Sequence, residues 1–380
     1  MDRRIVIVLS ITALVLGAAS GALGQSVLSI VDEVSQTTYT HYLDDLLYTH
    51  LGDDRGFGTE HDLARSNIVL EFDGYGLDTS LHPFDYGGDT YSNVVGVHAG
   101  TVRPDDIYIV GAHYDSANNP GADDNGSGTA GVMEAARVLS QYEFEATLVF
   151  IAFDREEQGL IGSNAYAQDH SGDNILGMIS LDMIAYNHNG ANQADIYGQA
   201  VSNPIKQAVA DAVAAYGNGI TTTINGPLDG SDHAPFEWQG FQACLLIEEW
   251  GNPYYHQAQD SVDMPNYIDY AYATNMVRSA VGYLASYAVV VPLPPGPGDV
   301  DGNGVVDGLD LSAVITAWET TSGEPLWNAD ADLDENNVVN GLDLTEVISY
   351  WTTGAAVPEP GTLSLLVLGG LALLGVRRRR

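Results

Sequence analysis

Residues 111–131, GAHYDSANNPGADDNGSGTAG, restrict what this chain can fold into more than any other stretch. The run before it, IYIVG at 107–111, is apolar and rich in β-branched residues, which predicts a buried strand. After it, Val132, Ala135, Ala136 and Leu139 recur at helical spacing. The unit is therefore strand, long polar loop, helix. The loop carries one histidine, three aspartates and no lysine or arginine. Open α/β sheets place ligands at the carboxyl ends of buried strands. Carboxylates gathered there without a basic partner need a cation, and a His/Asp set suits zinc. His113 and Asp115 are two apart, so in an extended segment they share a face. Asp115 can then accept the second ring N–H of His113. The run DDNGSG at 123–128 fits a helix cap and a glycine-rich turn equally well, so this stretch alone leaves both readings open.

The rest of the chain extends the pattern. Residues 27–51 read as helical, and 65–72 and 91–97 as strand-like. Residues 146–153 (ATLVFIAF) predict a second buried strand, 175–184 contain a third, and 243–247 form another. Amphipathic helices are expected at 202–216 and 267–288. Strands alternating with helices predict an α/β fold, an open, mostly parallel sheet flanked by helices. Chemistry-bearing residues follow the strands: Glu156 and Glu157 after Phe153, Asp182 after Leu181, and His256 within YYHQAQDS. Taken singly, Glu156, Glu157 and His256 fit ordinary surface or half-buried roles. Asp182 lies in an apolar run, where a carboxylate needs a partner or a metal. Jointly, several strand ends supplying His, Asp and Glu point to one cation site.

Composition bounds the function. The formal charge is −38, from 51 acidic and 13 basic residues, and six of the 13 lie in the end segments (Arg3, Arg4 and 377–380). Such a surface repels nucleic acid and excludes that class of partner. An apolar content of 45% argues against disorder. Residues 1–24 have a charged start, an apolar run and small residues before Gln25, the pattern of a secretory signal. Cys244 is the single cysteine, so an exported chain must rely on its core and on metals rather than on an intrachain disulfide.

The motifs GAHYDS, PGADDNGSG, FIAFDREEQGLIGS, ISLDMIAY, SDHAPF and YHQAQDS occur in one order across residues 27–288. This resembles the secreted di-zinc aminopeptidases of the bacterial leucyl aminopeptidase and aminopeptidase Y type, whose fold is of the zinc exopeptidase type. The resemblance implies two Zn2+ ions. His113 and Asp182 would hold the first, Glu157 and His256 the second, and Asp124 would bridge them. Glu156 would be the general base, Asp115 would orient His113, and the Asp124–Asn125 peptide bond would be cis. The implied activity is release of N-terminal residues from peptides. The same fold hosts carboxypeptidases and glutaminyl cyclases, so another amide hydrolase or a cyclase is an alternative, as is a non-catalytic surface binding protein. Some relatives carry a disulfide, and a tyrosine just ahead of SDH that assists the oxyanion. Here GPLDGSDH at 226–233 has neither, leaving the oxyanion donor unassigned, with His233 as a candidate helper or a helix cap.

Residues 289–298 form a Pro/Gly linker that closes the 25–288 domain. Beyond it, Asp299, Asp301, Asn303, Val305, Asp307 and Asp310 occupy the spacing of a calcium loop. Asp332, Asp334, Asn336, Val338, Asn340 and Asp343 repeat it. Residues 299–353 thus resemble a dockerin, a small all-α pair of calcium loop-helix units expected to hold two Ca2+. A cohesin-like partner is implied, but Gly308-Leu309 and Gly341-Leu342 stand where cohesin-binding dockerins often carry Ser and Thr. Residues 357–380 combine VPEP, an apolar run and four arginines. They resemble a PEP-type sorting signal processed by an exosortase, with transient membrane anchoring of an exported, surface-directed protein.

Overall fold

The computed structural model describes residues 26–291, 298–300, 306 and 308–351. The chain divides into two compact units, residues 25–293 and a second containing residues 294–380. The first unit carries an eight-stranded sheet in the order β1-β2-β4-β3-β5-β8-β6-β7. Its strands are β1 (Asp78–Tyr86), β2 (Asp89–His98), β3 (Arg103–His113), β4 (Ala146–Phe153), β5 (Asn174–Leu181), β6 (Gln193–Tyr197), β7 (Thr221–Ile224) and β8 (Ala243–Glu248). The helices are α1 (Val27–Val31), α2 (Gln36–His41), α3 (Thr59–Gly74), α4 (Gly128–Leu139), α5 (Ile161–Asp169), α6 (Asn203–Tyr216), α7 (His233–Trp238) and α8 (Tyr270–Tyr287).

The central strands β4, β3, β5 and β8 run parallel, so their carboxyl ends open on one side. All eight residues of β4 are buried, as its unbroken apolar run requires of a strand covered on both faces. Each fully buried Leu, Ile or Phe there contributes about 1.5–3 kcal/mol. Antiparallel strands flank this centre: β1 on β2, β2 on β4, and β6 on β8.

Two expectations change. Residues 65–72 lie inside α3, not in a strand: His61, Ala64, Ile68 and Phe72 are buried at three-to-four-residue spacing and outweigh the local β-branched run. The helical stretch at 27–51 is broken into α1, α2 and an irregular turn at Tyr42–Leu46.

In the second unit, α9 (Gly308–Thr316) and α10 (Gly341–Ser349) follow the two acidic loops. Val300, Leu311, Val314, Val339 and Val347 form its core. Asn340 caps α10 reciprocally with Asp343. Residues 1–24 and 357–380, together with Asp301, Asn303, Val305 and Asp307, lie outside the described residues. No described helix is long and apolar enough to cross a membrane.

Candidate metal centre

The residues singled out from the sequence converge at the carboxyl ends of the parallel strands. His113 ends β3, Glu156 and Glu157 follow β4, Asp182 follows β5, and His256 comes from the loop after β8. His113 Nε2 lies 3.4 Å from Asp124 Oδ1, 3.7 Å from Asp182 Oδ1 and 3.9 Å from Glu156 Oε2. His256 Nε2 lies 3.1 Å from Asp124 Oδ2 and 3.2 Å from Glu157 Oε2. The two oxygens of Asp124 therefore face different histidines. Two donor sets draw together within 4.8 Å: His113, Asp124 and Glu157, and His113, Glu156 and Asp182.

The loop bearing Asp124 is shaped by its neighbours. The Asp124–Asn125 peptide bond is cis. Gly121 sits at φ +57, where a Cβ would meet Asp124 O at 2.4 Å. Gly128 lets α4 approach β5 so closely that a Cβ would lie 2.2 Å from Leu181 O. Four non-glycine residues around the site also have positive φ: Arg155, Leu160, Met183 and His256. Such conformations cost about 1–3 kcal/mol each and cluster at functional sites.

Asp115 supports the centre in two ways. His113 Nδ1 lies 3.1 Å from the Asp115 carbonyl and 3.5 Å from its carboxylate. That carboxylate accepts the Glu156 N–H at 3.1 Å and the Glu157 N–H at 3.3 Å. Ser231 Oγ donates to Asp182 Oδ2 at 2.6 Å. His233 does not line the cleft: it is fully buried at the start of α7, and neither ring nitrogen has a hydrogen bond.

Three participants escaped the sequence reading. Arg55 is fully buried and ties down the loop by donating to the carbonyls of Tyr114 (2.9 Å), Pro120 and Gly121 (2.7 Å). Burial lowers its pKa to about 10, against the pull of Asp260, Asp115 and Asp124, so it stays charged at neutral pH. Asp260 accepts the N–H groups of Asp123 (2.7 Å) and Asp124 (3.1 Å). Tyr255 lines the cleft with its ring stacked on His256. Arg55 acts from a distant loop that no local motif announces, and Asp260 lies within YHQAQDS, which does not reveal its contact with residues 123 and 124. Tyr255 was legible only as the residue before His256.

The electrostatics are those of a carboxylate cluster short of cations. Burial opposes the charged form of Asp124, yet His113 and His256 hold its carboxyl at about 2. Burial raises Glu157 to about 8 and Glu156 well above the usual range. Burial works against a charged His113, but Glu156, Asp115, Asp124 and Asp182 together push its pKa well up. Protons on the imidazoles thus offset the negative charge. His113 Nε2 and Glu157 Oε1 are buried without a hydrogen bond. A buried imidazole nitrogen without a partner, facing acceptor-only oxygens, fits a divalent metal with a taste for N and O donors. In the second unit, donor oxygens of Asp332, Asp334 and Asp343 likewise lie within 4.8 Å of one another, a hard oxygen set of the kind that suits Ca2+.

An open α/β sheet with this donor set at its parallel strand ends defines a metal-binding α/β domain of the zinc exopeptidase fold. More particularly, residues 93–281 match peptidase family M28, residues 297–360 a dockerin type I domain, and residues 356–380 the PEP-CTERM protein-sorting motif; the chain carries all three. It is similar to aminopeptidase YwaD of Bacillus subtilis, 32% identical over 213 residues, covering 52% of this chain and 45% of that protein. It is also similar to a probable leucine aminopeptidase of Arthroderma benhamiae, 31% identical over 195 residues, covering 46% of this chain and 52% of the relative. The chain spans about half the length of these curated relatives. In fold it resembles the aminopeptidase from Aneurinibacillus sp. strain AM-1, with a TM-score of 0.61 at 19% identity over 70% of this chain and 97% of that one.

Proposed function

We propose that this protein is an exported aminopeptidase that removes apolar N-terminal residues from peptides. One observation carries the reading. The cleft brings Asp124, Glu156, Glu157, Asp182 and His256 against an apolar wall of Met183, Leu228, Leu245, Ile247 and Trp250, and no lysine or arginine is among its lining residues. A free α-ammonium is drawn to such a cleft and a free carboxylate is repelled, which favours the N-terminus over the C-terminus of a peptide.

In this reading His113, Asp124 and Asp182 would hold one zinc, and Asp124, Glu157 and His256 the other. Zinc bound there would supply a water of pKa near 7 and a Lewis acid for the scissile carbonyl. Glu156 takes the proton of the attacking water and passes it to the departing amine nitrogen. Asp115 fixes the Glu156 and Glu157 amides, so base and ligand point to different sides. The Tyr255 hydroxyl, its pKa raised by burial and by Asp124 and its neighbours, stays protonated at neutral pH and serves as donor to the developing oxyanion. The dockerin domain binds calcium and a cohesin-type partner, and an exosortase processes the tail.

The test is hydrolysis of a panel of aminoacyl chromogenic amides, with zinc measured on the same sample. Turnover is expected to be greatest with Leu, Phe and Met amides, and to vanish on N-acetylation or chelation. Bound zinc with turnover only of an N-terminal glutaminyl substrate would instead indicate a cyclase.

A further inference from the structure

The residue ahead of the proposed base is the least expected in its surroundings. Arg155 is fully buried, and its backbone sits at φ 62. Positive φ favours glycine and asparagine, and six of the other non-glycine residues with positive φ in this structure are asparagines. An arginine gains nothing from that conformation itself, so its surroundings must impose it.

Those surroundings form a grip. The guanidinium carbon lies 4.3 Å from the Phe57 ring centroid and 4.5 Å from that of Tyr91. The two rings meet edge to face at 6.4 Å, so the cation faces both. Arg155 Nε donates to Asp154 Oδ1 at 2.8 Å. Asp154 is itself fixed, by His61 Nε2 at 2.9 Å and by the Tyr114 hydroxyl at 2.8 Å. Arg155 Nη1 and Nη2 have no hydrogen-bond partner, which leaves the ring faces as what meets the outer end of the cation. Two separate elements, the segment before α3 and strand β2, converge on one side chain that Asp154, just after β4, also holds.

We propose that Arg155 is a positioning residue for Glu156. The aromatic grip and Asp154 hold the Arg155 backbone in its left-handed conformation, and that turn directs the Glu156 carboxylate toward His113 and Asp182. The next backbone contacts complete the aim. Arg155 O accepts from Ile161 N at 3.0 Å, and Glu156 N donates to Asp115 at 3.1 Å. The proposal rests on Glu156 being the base, but its geometry can be tested apart from that reading.

The experiment compares wild type, Tyr91→Leu, Tyr91→Phe, Phe57→Leu and Arg155→Ala by crystal structure, zinc content, kcat and KM. Phe57 is half exposed, so Phe57→Leu is the mild variant should Tyr91→Leu fail to fold. Tyr91→Leu, Phe57→Leu and Arg155→Ala are expected to displace Glu156 Oε2 from its place 3.9 Å from His113 Nε2. They should lower kcat by about 10- to 100-fold with KM and zinc unchanged, the scale of a misplacement near 1 Å. Tyr91→Phe keeps the ring face and should restore both the structure and kcat. If Glu156 stays in place in the Leu and Ala variants, the proposal is overturned, whatever the activity. If Glu156 moves but wild type hydrolyses no free-amine amide, the positioning role stands and the aminopeptidase reading falls.

Discussion

Glu156 and Glu157 are adjacent in sequence, yet one carboxylate faces His113 and the other His256. The division follows from the Asp115 carboxylate, which takes both of their N–H groups and fixes the turn between them. Their separation in role gives opposite mutational signatures. Glu156→Gln should retain zinc and lower kcat by about 10²–10⁴-fold, the usual worth of a general base. Asp124→Ala should lose zinc, because it removes the carboxylate shared by both histidines; metal analysis beside steady-state kinetics separates the two. His233 belongs to stability rather than turnover. Burial lowers its pKa to about 4, below the ordinary value of 6.5. Between those values the unfolded chain binds the proton and the native state does not, so the contribution is complete above pH 6.5 and is lost as pH falls toward 4. Going from pH 7 to about pH 4.5, metal-free wild type should lose about 2–3 kcal/mol more stability than His233→Phe, as read by urea unfolding at both pH values. Equal losses in the two proteins would refute a buried neutral histidine.

At the scale of elements, the loop between β3 and α4 is the part of the site with least regular structure and most outside support. Arg55 binds three of its carbonyls, and Asp260 binds the amides of Asp123 and Asp124. Arg55→Met strips buried carbonyls of a charged donor and should cost about 3 kcal/mol or more. That amounts to a Tm drop of about 6–12 °C, with zinc affinity falling alongside. Arg65→Met loses only a partly exposed pair with Asp62 and should cost less than about 1 kcal/mol. Thermal melts of both variants check the contrast. The same division explains what could be read from the sequence. β4 was legible because all its residues are buried and apolar, and the ligand candidates because each follows such a strand. β1 and β7, at the sheet edges, were not: most of their residues are exposed or half-buried, so their pattern is weak. α3 was misread because Ile68, Val69 and Leu70 look like a strand until His61, Ala64 and Phe72 reveal its period. Arg55 was invisible because its partners lie roughly 60 residues away in sequence, and the role of Asp260, though it sits in YHQAQDS, was hidden because its partner lies 137 residues away.

For the whole molecule the scarce resource is positive charge. Only seven of the 13 basic residues lie outside the end segments, against 51 acidic residues in the chain. Three of the seven, Arg55, Arg155 and Lys206, are buried, binding backbone carbonyls or aromatic rings rather than relieving the surface. The remaining four, Arg65, Arg103, Arg137 and Arg278, each pair with nearby carboxylates. Added salt acts on this arrangement in two directions. It weakens the pairs at the surface, which contribute about 0–1 kcal/mol each, and it screens repulsion among the far more numerous acidic residues. Four pairs cannot outweigh that excess, so the folded state should gain. Raising NaCl from about 0.01 M to about 1 M cuts the screening length from roughly 30 Å to roughly 3 Å. With zinc and calcium held saturating, we expect Tm to rise by about 2–8 °C, equivalent to about 1–2 kcal/mol. Chloride is the salt to use, because sulfate also strengthens apolar burial and would raise Tm by itself. A Tm that stays flat or falls across that range would mean that the carboxylates are already neutralised, by bound cations or by upward-shifted pKa values, and the argument from net charge would fail.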